Sequence, residues 1–232
     1  MPDNKIVIFK QTELFRDLDD SVVAVLARYS AIKRLTRDEI LFVAGEPAKG
    51  LYVIASGSVR AFRMAADGRE QVIHVERAVT TIAEVAVFDD GNYPSTVAAD
   101  EPSIVYFLSK QDVLNTAMEH PQLALSAVKL IASRLRRCAE LVETLSLREV
   151  GQRLAWLLLE EARNYGTKTE DGTKIKLRLT HNQLAARIGT VREVVTRMLI
   201  RLQEQGLIVH AGKDILIPDV KLVAAYAETD KF

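Results

Sequence analysis

Apolar positions along the chain change period several times, and each change marks a new kind of element. Leu14, Leu18, Val22, Val25 and Leu26 recur at steps of three and four, which predicts an amphipathic helix at the start. From Ile32 to Phe107 the pattern becomes short apolar runs: Ile40–Val43, Leu51–Ile54, Val59–Phe62, Val72–Val75, Val97–Ala99 and Ile104–Leu108. Gly45, Gly50, Gly57, Gly68 and Gly91 punctuate them, as turns with positive φ would require. Asp67-Gly68 between two runs is a hairpin signal. Many short strands at such spacing predict an all-β roll or barrel.

Helical periodicity returns at Ser109, which can cap a helix with Asp112 at the third position. His120-Pro121 then opens a long helix, since Pro is tolerated in the first turn. On it Ala124, Val128, Ile131, Leu135, Cys138, Val142 and Leu145 alternate four and three apart, an apolar seam over three heptads. A second stripe, Ala127, Leu130 and Leu141, lies on another face. One stripe serves the chain's own core. The other suits a second copy of the chain, although a helix wholly buried in one chain would read the same way.

Near Ser146 a further domain begins. Leu147, Val150, Leu154, Leu157 and Leu158 predict an amphipathic helix, residues 164–174 a polar loop, and Ile175–Leu179 a half-buried strand. Thr180-His-Asn-Gln183 reads as a capping box opening a helix whose buried side is Leu184, Ala185 and Ile188. Gly189 ends that helix, and Thr190-Val-Arg-Glu193 reads as a second box opening another with Val195, Met198, Leu199 and Leu202 inside. Two short helices across so tight a turn form a helix-turn-helix. Its second helix would present Arg192, Glu193, Thr196 and Arg197 to a major groove, Arg suiting guanine and Glu the cytosine amino group. Glu193 could equally serve as the capping partner of Thr190 or pair with Arg197. Thr180 and Thr190 sit at the helix starts as further DNA-facing candidates. Arg201, a turn later, suits a phosphate or plain solvent. Leu207–His210 and Ile215–Ile217 form a hairpin placed like a wing, with Lys213 at its tip as a phosphate contact or a simple surface charge.

Composition narrows the class. The chain has 232 residues, 48% apolar and 27% charged, enough for two domains with real cores. No uncharged apolar run reaches 18 residues, and the N-terminus lacks a signal-peptide pattern, so a cytoplasmic protein is expected. A single Cys excludes an internal disulfide and an iron–sulfur cluster, and four His leave little for structural zinc. Residues 1–147 hold 17 Lys and Arg against 20 Asp and Glu, whereas residues 148–232 hold 14 against 11. The basic C-terminal balance of +3 agrees with a polyanion partner, or with an ordinary solvated surface. No catalytic triad, phosphate loop or metal cluster is visible, so an enzyme is not expected.

With these residues in place, the sequence resembles the CRP/FNR family of bacterial transcription regulators, typified by the cyclic-AMP receptor protein and the fumarate–nitrate regulator. LTHNQLAARIGTVREVVTRMLIRLQEQGLI looks like the family's helix-turn-helix, with its Arg-Glu-x-x-x-Arg reading set at Arg192, Glu193 and Arg197. ILFVAGEPAKGLYVIASGSVRAF looks like its cyclic-nucleotide-binding-type β-roll. The resemblance implies an α+β chain: a sensor β-roll, a double-stranded β-helix, with N-terminal helices over residues 1–119; a dimerisation helix over 120–146; and a winged helix-turn-helix over 147–232. It implies a homodimer that binds an inverted repeat of TGTGA-like half-sites on double-stranded DNA, meets RNA polymerase, and is controlled allosterically by a small-molecule or gas effector.

The effector region departs from the cyclic-AMP-binding members. Their Gly-Glu-x-Ala/Gly segment matches Ala83-Glu84-Val85-Ala86, and their phosphate-gripping Arg-Ser pair matches Pro94-Ser95. Where they meet the purine with Thr-Ser, this chain has Cys138-Ala139. A buried phosphate without its Arg would lose a charge-assisted pair, a penalty of roughly 3–5 kcal/mol. This places the chain in a non-cyclic-AMP branch. The pattern Asn92-Tyr-Pro-Ser-Thr96 looks more like oxygen- or nitric-oxide-responsive members. The pocket candidates are Glu84, Ala83, Ser95, Thr96, His74 and Cys138. Glu84 could hold a ligand hydroxyl or cap nearby amides. His74, or Pro2 as in carbon-monoxide sensors, could ligate haem, while His74 could also be merely structural. Cys138 could be a thiol sensor or a small hydrophobe. A regulatory module without DNA binding is the rival reading, which the helix-turn-helix opposes.

Overall fold

The computed structural model describes residues 2–211 and 214–228, with side chains over 5–209 and 214–228. The chain divides into two compact units. One holds the described residues up to Arg63 with Ile73–Cys138, and the other Met64–Val72 with the described residues from Ala139 onward.

The first unit opens with α1 (Pro2–Gln11) and α2 (Asp20–Tyr29). The single helix expected from Leu14 to Leu26 is therefore interrupted. Thr12 Oγ1 donates to the Phe9 carbonyl at 2.7 Å as α1 closes, and extended Asp19 caps α2. Leu14 and Leu18 are buried in the turns between, whereas Val25 is exposed. Their three- and four-residue spacing recorded burial and not helix.

The roll follows: β1 (Ala31–Leu35), β2 (Ile40–Phe42), β3 (Gly50–Ser56), β4 (Ser58–Met64), β5 (Glu70–Arg77), β6 (Thr80–Ile82), α3 (Glu84–Phe88), β7 (Thr96–Ala99) and β8 (Ser103–Ser109). Two four-stranded sheets, ordered β1-β8-β3-β6 and β2-β7-β4-β5, share one core containing Val53, Val105, Val59 and Val97. Gly57 has φ +81° in the tight β3–β4 turn, where a Cβ would strike Ser103 Oγ. Gly50 is different: its φ is not positive, and glycine is required because a Cβ would run into the Leu108 carbonyl on the paired strand. Gly91 likewise lacks the positive φ expected of it.

Next come α4 (Lys110–Glu119) and α5 (Pro121–Leu147). Ser109 caps α4 as its sequence predicts, Oγ accepting from the Asp112 amide at 3.1 Å. Along α5, Leu123, Ala127 and Leu130 are buried. Ala124, Val128, Leu135, Cys138 and Val142 are exposed, and Ile131 and Leu145 half-buried. The two stripes thus separate in part: Ala127 and Leu130 of the second are in the roll's core, Leu141 is half-buried outside it, and most of the first is exposed.

The second unit contains α6 (Val150–Tyr165), β9 (Thr167–Thr169), β10 (Gly172–Lys176), α7 (His181–Ile188), α8 (Arg192–Glu204), β11 (Val209–Ala211), β12 (Asp214–Ile217) and α9 (Val220–Glu228). Its sheet runs β11-β12-β10-β9. The loop expected over 164–174 is in fact a hairpin, with Thr167 opposite Lys174, and the strand expected to reach Leu179 stops at Lys176. Polar side chains hid it, because β9 buries none of its residues. Ile175, Leu154, Leu184, Val195, Ile215 and Val223 fill the core.

Candidate DNA-reading face and effector cavity

The helix-turn-helix is built from local chemistry. Thr180 Oγ1 accepts from the Gln183 amide at 3.3 Å, and Gln183 Oε1 accepts from the Thr180 amide at 2.9 Å, closing the box that opens α7. Gly189 ends the helix in the left-handed region at φ +66°. The second box does not form. Extended Val191 is the cap of α8, so Thr190 falls one residue outside. Glu193 instead lies in the first turn, where a carboxylate favours the helix dipole.

Val195, Leu199 and Leu202 turn inward, and Arg192, Glu193, Thr196, Arg197 and Arg201 are exposed on the other side. The expected Glu193–Arg197 pair is absent: among the described residues none of Arg192, Glu193, Arg197 and Arg201 has an ion-pair partner. Their charges stand free for an outside ligand. Thr196 is held: Oγ1 donates to the Arg192 carbonyl at 3.2 Å and lies 2.9 Å from His181 Nδ1. His181 was not anticipated as a site residue, and its separation of 15 residues from Thr196 gave no signal. Thr180 is exposed and Thr190 half-buried. Lys213 lies outside the described residues.

The first unit contains a cavity of about 320 Å³. Phe42, Ile73, Ile82, Val85 and Pro94 form its apolar wall, with Ala83, Ser95 and Cys138 beside them. Four chemistry-bearing groups join: His74 from β5, Glu84 from α3, Arg134 and Arg137 from α5, and Arg63 from β4 makes a fifth. Ala83 has φ +78°, the left-handed turn that delivers Glu84 inward. Glu84 is wholly buried, and Arg134 Nη2 donates to its Oε1 at 3.2 Å and to the Thr81 carbonyl at 2.5 Å. Glu76 Oε1 stands 3.3 Å from Arg137 and 3.7 Å from Arg134. Burial raises the Glu76 carboxyl above its ordinary pKa, against the pull of both arginines. Burial, reinforced by Arg134 and Arg137, pushes the His74 imidazole down to about 4, so it is neutral at pH 7. Glu84 Oε2 and His74 Nε2 are buried without a hydrogen-bond partner.

Of the sequence candidates, Glu84, Ala83, Ser95, His74 and Cys138 do line this space. Thr96 does not; its Oγ1 accepts from the Ala44 amide at 3.0 Å, tying β7 to the chain after β2. Arg63, Arg134 and Arg137 were missed. Among the described residues no group of three or more His, Cys, Asp or Glu could hold a metal, and no helix is long and apolar enough to cross a membrane.

Comparison with known proteins places both units. Residues 32–120 match the cyclic nucleotide-binding domain family, and residues 152–226 the Crp-like helix-turn-helix domain family. A CRP-like cAMP-activated global transcriptional regulator of Mycobacterium tuberculosis is 27% identical over 220 residues, covering 95% of this chain and 98% of that protein. The global nitrogen regulator of a Synechocystis strain is 28% identical, over 80% of this chain and 84% of its own. A crystal structure of a putative crp/fnr-family regulator from Eubacterium rectale superposes with a TM-score of 0.79 at 22% identity, over 93% of this chain and 98% of that one. Each of these relatives is named as a regulator.

Proposed function

The chain belongs to the CRP/FNR family of transcription regulators, and from that premise we propose that it acts as a cytoplasmic homodimer. Its two α8 helices read the half-sites of an inverted TGTGA-like repeat, with RNA polymerase as the downstream partner. The observation that carries this reading is the division of α8 itself. Its inner side is core, and its outer side bears Arg192, Glu193 and Arg197 with no internal ion-pair partner among the described residues. Free guanidinium and carboxylate groups one turn apart match the donors and acceptors of guanine and cytosine. Arg201, a turn further along α8, and Thr180, at the start of α7, contact phosphate. The exposed seam on α5 supports pairing of two chains, which sets the recognition helices about one DNA turn (~34 Å) apart. An effector in the β-roll cavity shifts the population of dimers holding that spacing, through Arg134 and Arg137 on α5.

A gel-shift titration of the full chain tests this. Binding to the inverted repeat weakens steeply with salt. Arg192→Ala costs about 1–3 kcal/mol and relaxes preference at one base position. Sedimentation of Leu135→Glu shows single chains, and that variant loses the full repeat. Equal binding of repeat and scrambled duplex by the parent chain refutes the reading.

A further inference from the structure

We propose that His181 is a positioning residue of the DNA-reading face: its Nδ1–H fixes the Thr196 hydroxyl as a hydrogen-bond acceptor, and Thr196 so fixed selects an A·T pair in the major groove. This rests on the proposed DNA-reading role of α8.

The Thr196 hydroxyl carries one proton and two lone pairs. Oγ1 donates that proton to the Arg192 carbonyl, one turn back, at 3.2 Å. Helical threonines often bond back in this way. His181 Nδ1 stands 2.9 Å from the same oxygen. With the hydroxyl proton spent, this contact takes its proton from the ring. If Oγ1 donated to the ring instead, two oxygens would face each other at 3.2 Å with no proton between them. The imidazole is therefore the Nδ1–H tautomer, and Oγ1 accepts from it.

The bond joins the first residue of α7 to the second turn of α8, so it ties together the two helices of the motif. Thr196 is exposed, four residues from Arg192 and three from Glu193, and hence on their side of α8. Its oxygen keeps one lone pair, with the Cγ2 methyl beside it. It can accept from a base and has nothing left to donate. In the major groove adenine and cytosine present an amino donor, whereas guanine presents acceptors only. Thymine adds a methyl group, which suits the Cγ2 methyl. The A·T pair alone carries both features. Threonine in a helix divides between two rotamers, and the His181 bond holds one of them. Released from it, the hydroxyl turns its proton to guanine O6 as readily as it accepts from adenine, and the preference is lost.

The test uses the full chain with and without DNA. Without DNA, long-range proton–nitrogen NMR of the imidazoles is recorded well above the ordinary imidazole pKa of about 6.5. The chain has four His, and His181→Asn identifies the signal by its loss. His181 shows the Nδ1–H pattern. With DNA, binding-site selection and gel shifts use the inverted TGTGA-like repeat with each half-site position varied. One position prefers A·T. His181→Phe lowers that preference about three- to tenfold, the range of one hydrogen bond, and leaves the other positions unaltered. His181→Asn, whose amide nitrogen takes the place of Nδ1, restores part of it. Thr196→Val keeps the branched shape and loses the preference, and His181→Phe then has no further effect on it. Thr196→Val, an isosteric change on an exposed face, carries the DNA test alone if the phenylalanine disturbs folding. An Nε2–H imidazole in the free chain overturns this proposal alone. So does an even loss of affinity over all duplexes in both variants, which a purely structural tie between the helices would give. A parent chain that treats repeat and scrambled duplex alike overturns the DNA reading and this proposal with it.

Discussion

The outer side of α8 and the cavity of the β-roll both gather arginine and glutamate, and they use them in opposite ways. On α8, Arg192, Glu193 and Arg197 are exposed and unpaired among the described residues, hydrated until something outside binds. Glu84 in the cavity wall is wholly buried, Glu76, which does not line the cavity, is nearly so, and each is held against an α5 arginine. Exposed charges cost the fold little and are available for recognition. Buried charges must be matched by one another. The same residue types thus stand exposed and unpaired among the described residues in one place, and buried and paired in the other.

The contrast can be broken most decisively at Glu84. Glu84→Ala leaves Arg134 buried beside an empty space, and should lower unfolding free energy by about 3 kcal/mol in urea titrations. Loss below about 0.5 kcal/mol would show that the pair is not a structural requirement. The pH dependence comes next. His74 is neutral in the folded chain down to about pH 4, while in the unfolded chain it protonates near 6.5. The unfolded state then holds the extra proton, so stability falls as pH drops from 6.5 towards 4, by at most about 1.4 kcal/mol per unit. Glu76, with its raised carboxyl, works in the opposite direction, so the His74 contribution between pH 6.5 and about 4 is read as the difference from a chain without the imidazole. A His74→Gln chain should show a flatter profile there. The smallest stability effect is expected from Glu193→Ala, within about 0.5 kcal/mol, because its carboxylate is exposed. Its consequence should appear in base preference alone, read by binding-site selection.

The same contrast explains what was readable in the chain. The proposed DNA-reading face depends on residues within about twenty positions, and caps and turns announce it: Thr180 with Gln183, then Gly189. Only the start of α8 was displaced, because β-extended Val191 takes the cap position expected of Thr190. The roll's strands and the long helix were legible from periodicity for the same local reason. The cavity was only half legible. Glu84, His74 and Ser95 could be found by segment, but Arg63, Arg134 and Arg137 arrive from a strand and a helix with no local motif. The Arg63–Pro94 bond spans 31 positions, and no spacing rule reaches that far. The polar β9–β10 hairpin escaped because its first strand buries nothing, so it carries no apolar alternation.

The row of Val128, Leu135 and Val142 on α5 has one more implication, under the proposed pairing. Each is more than 60% uncovered in the lone chain. Surface of that kind is adhesive in water, and newly made chains therefore mate or clump. At low abundance the mated species grows with the square of chain number. Transcript level would then enter the response twice over, making the amount of regulator itself a graded input that sharpens as the cell makes more of it.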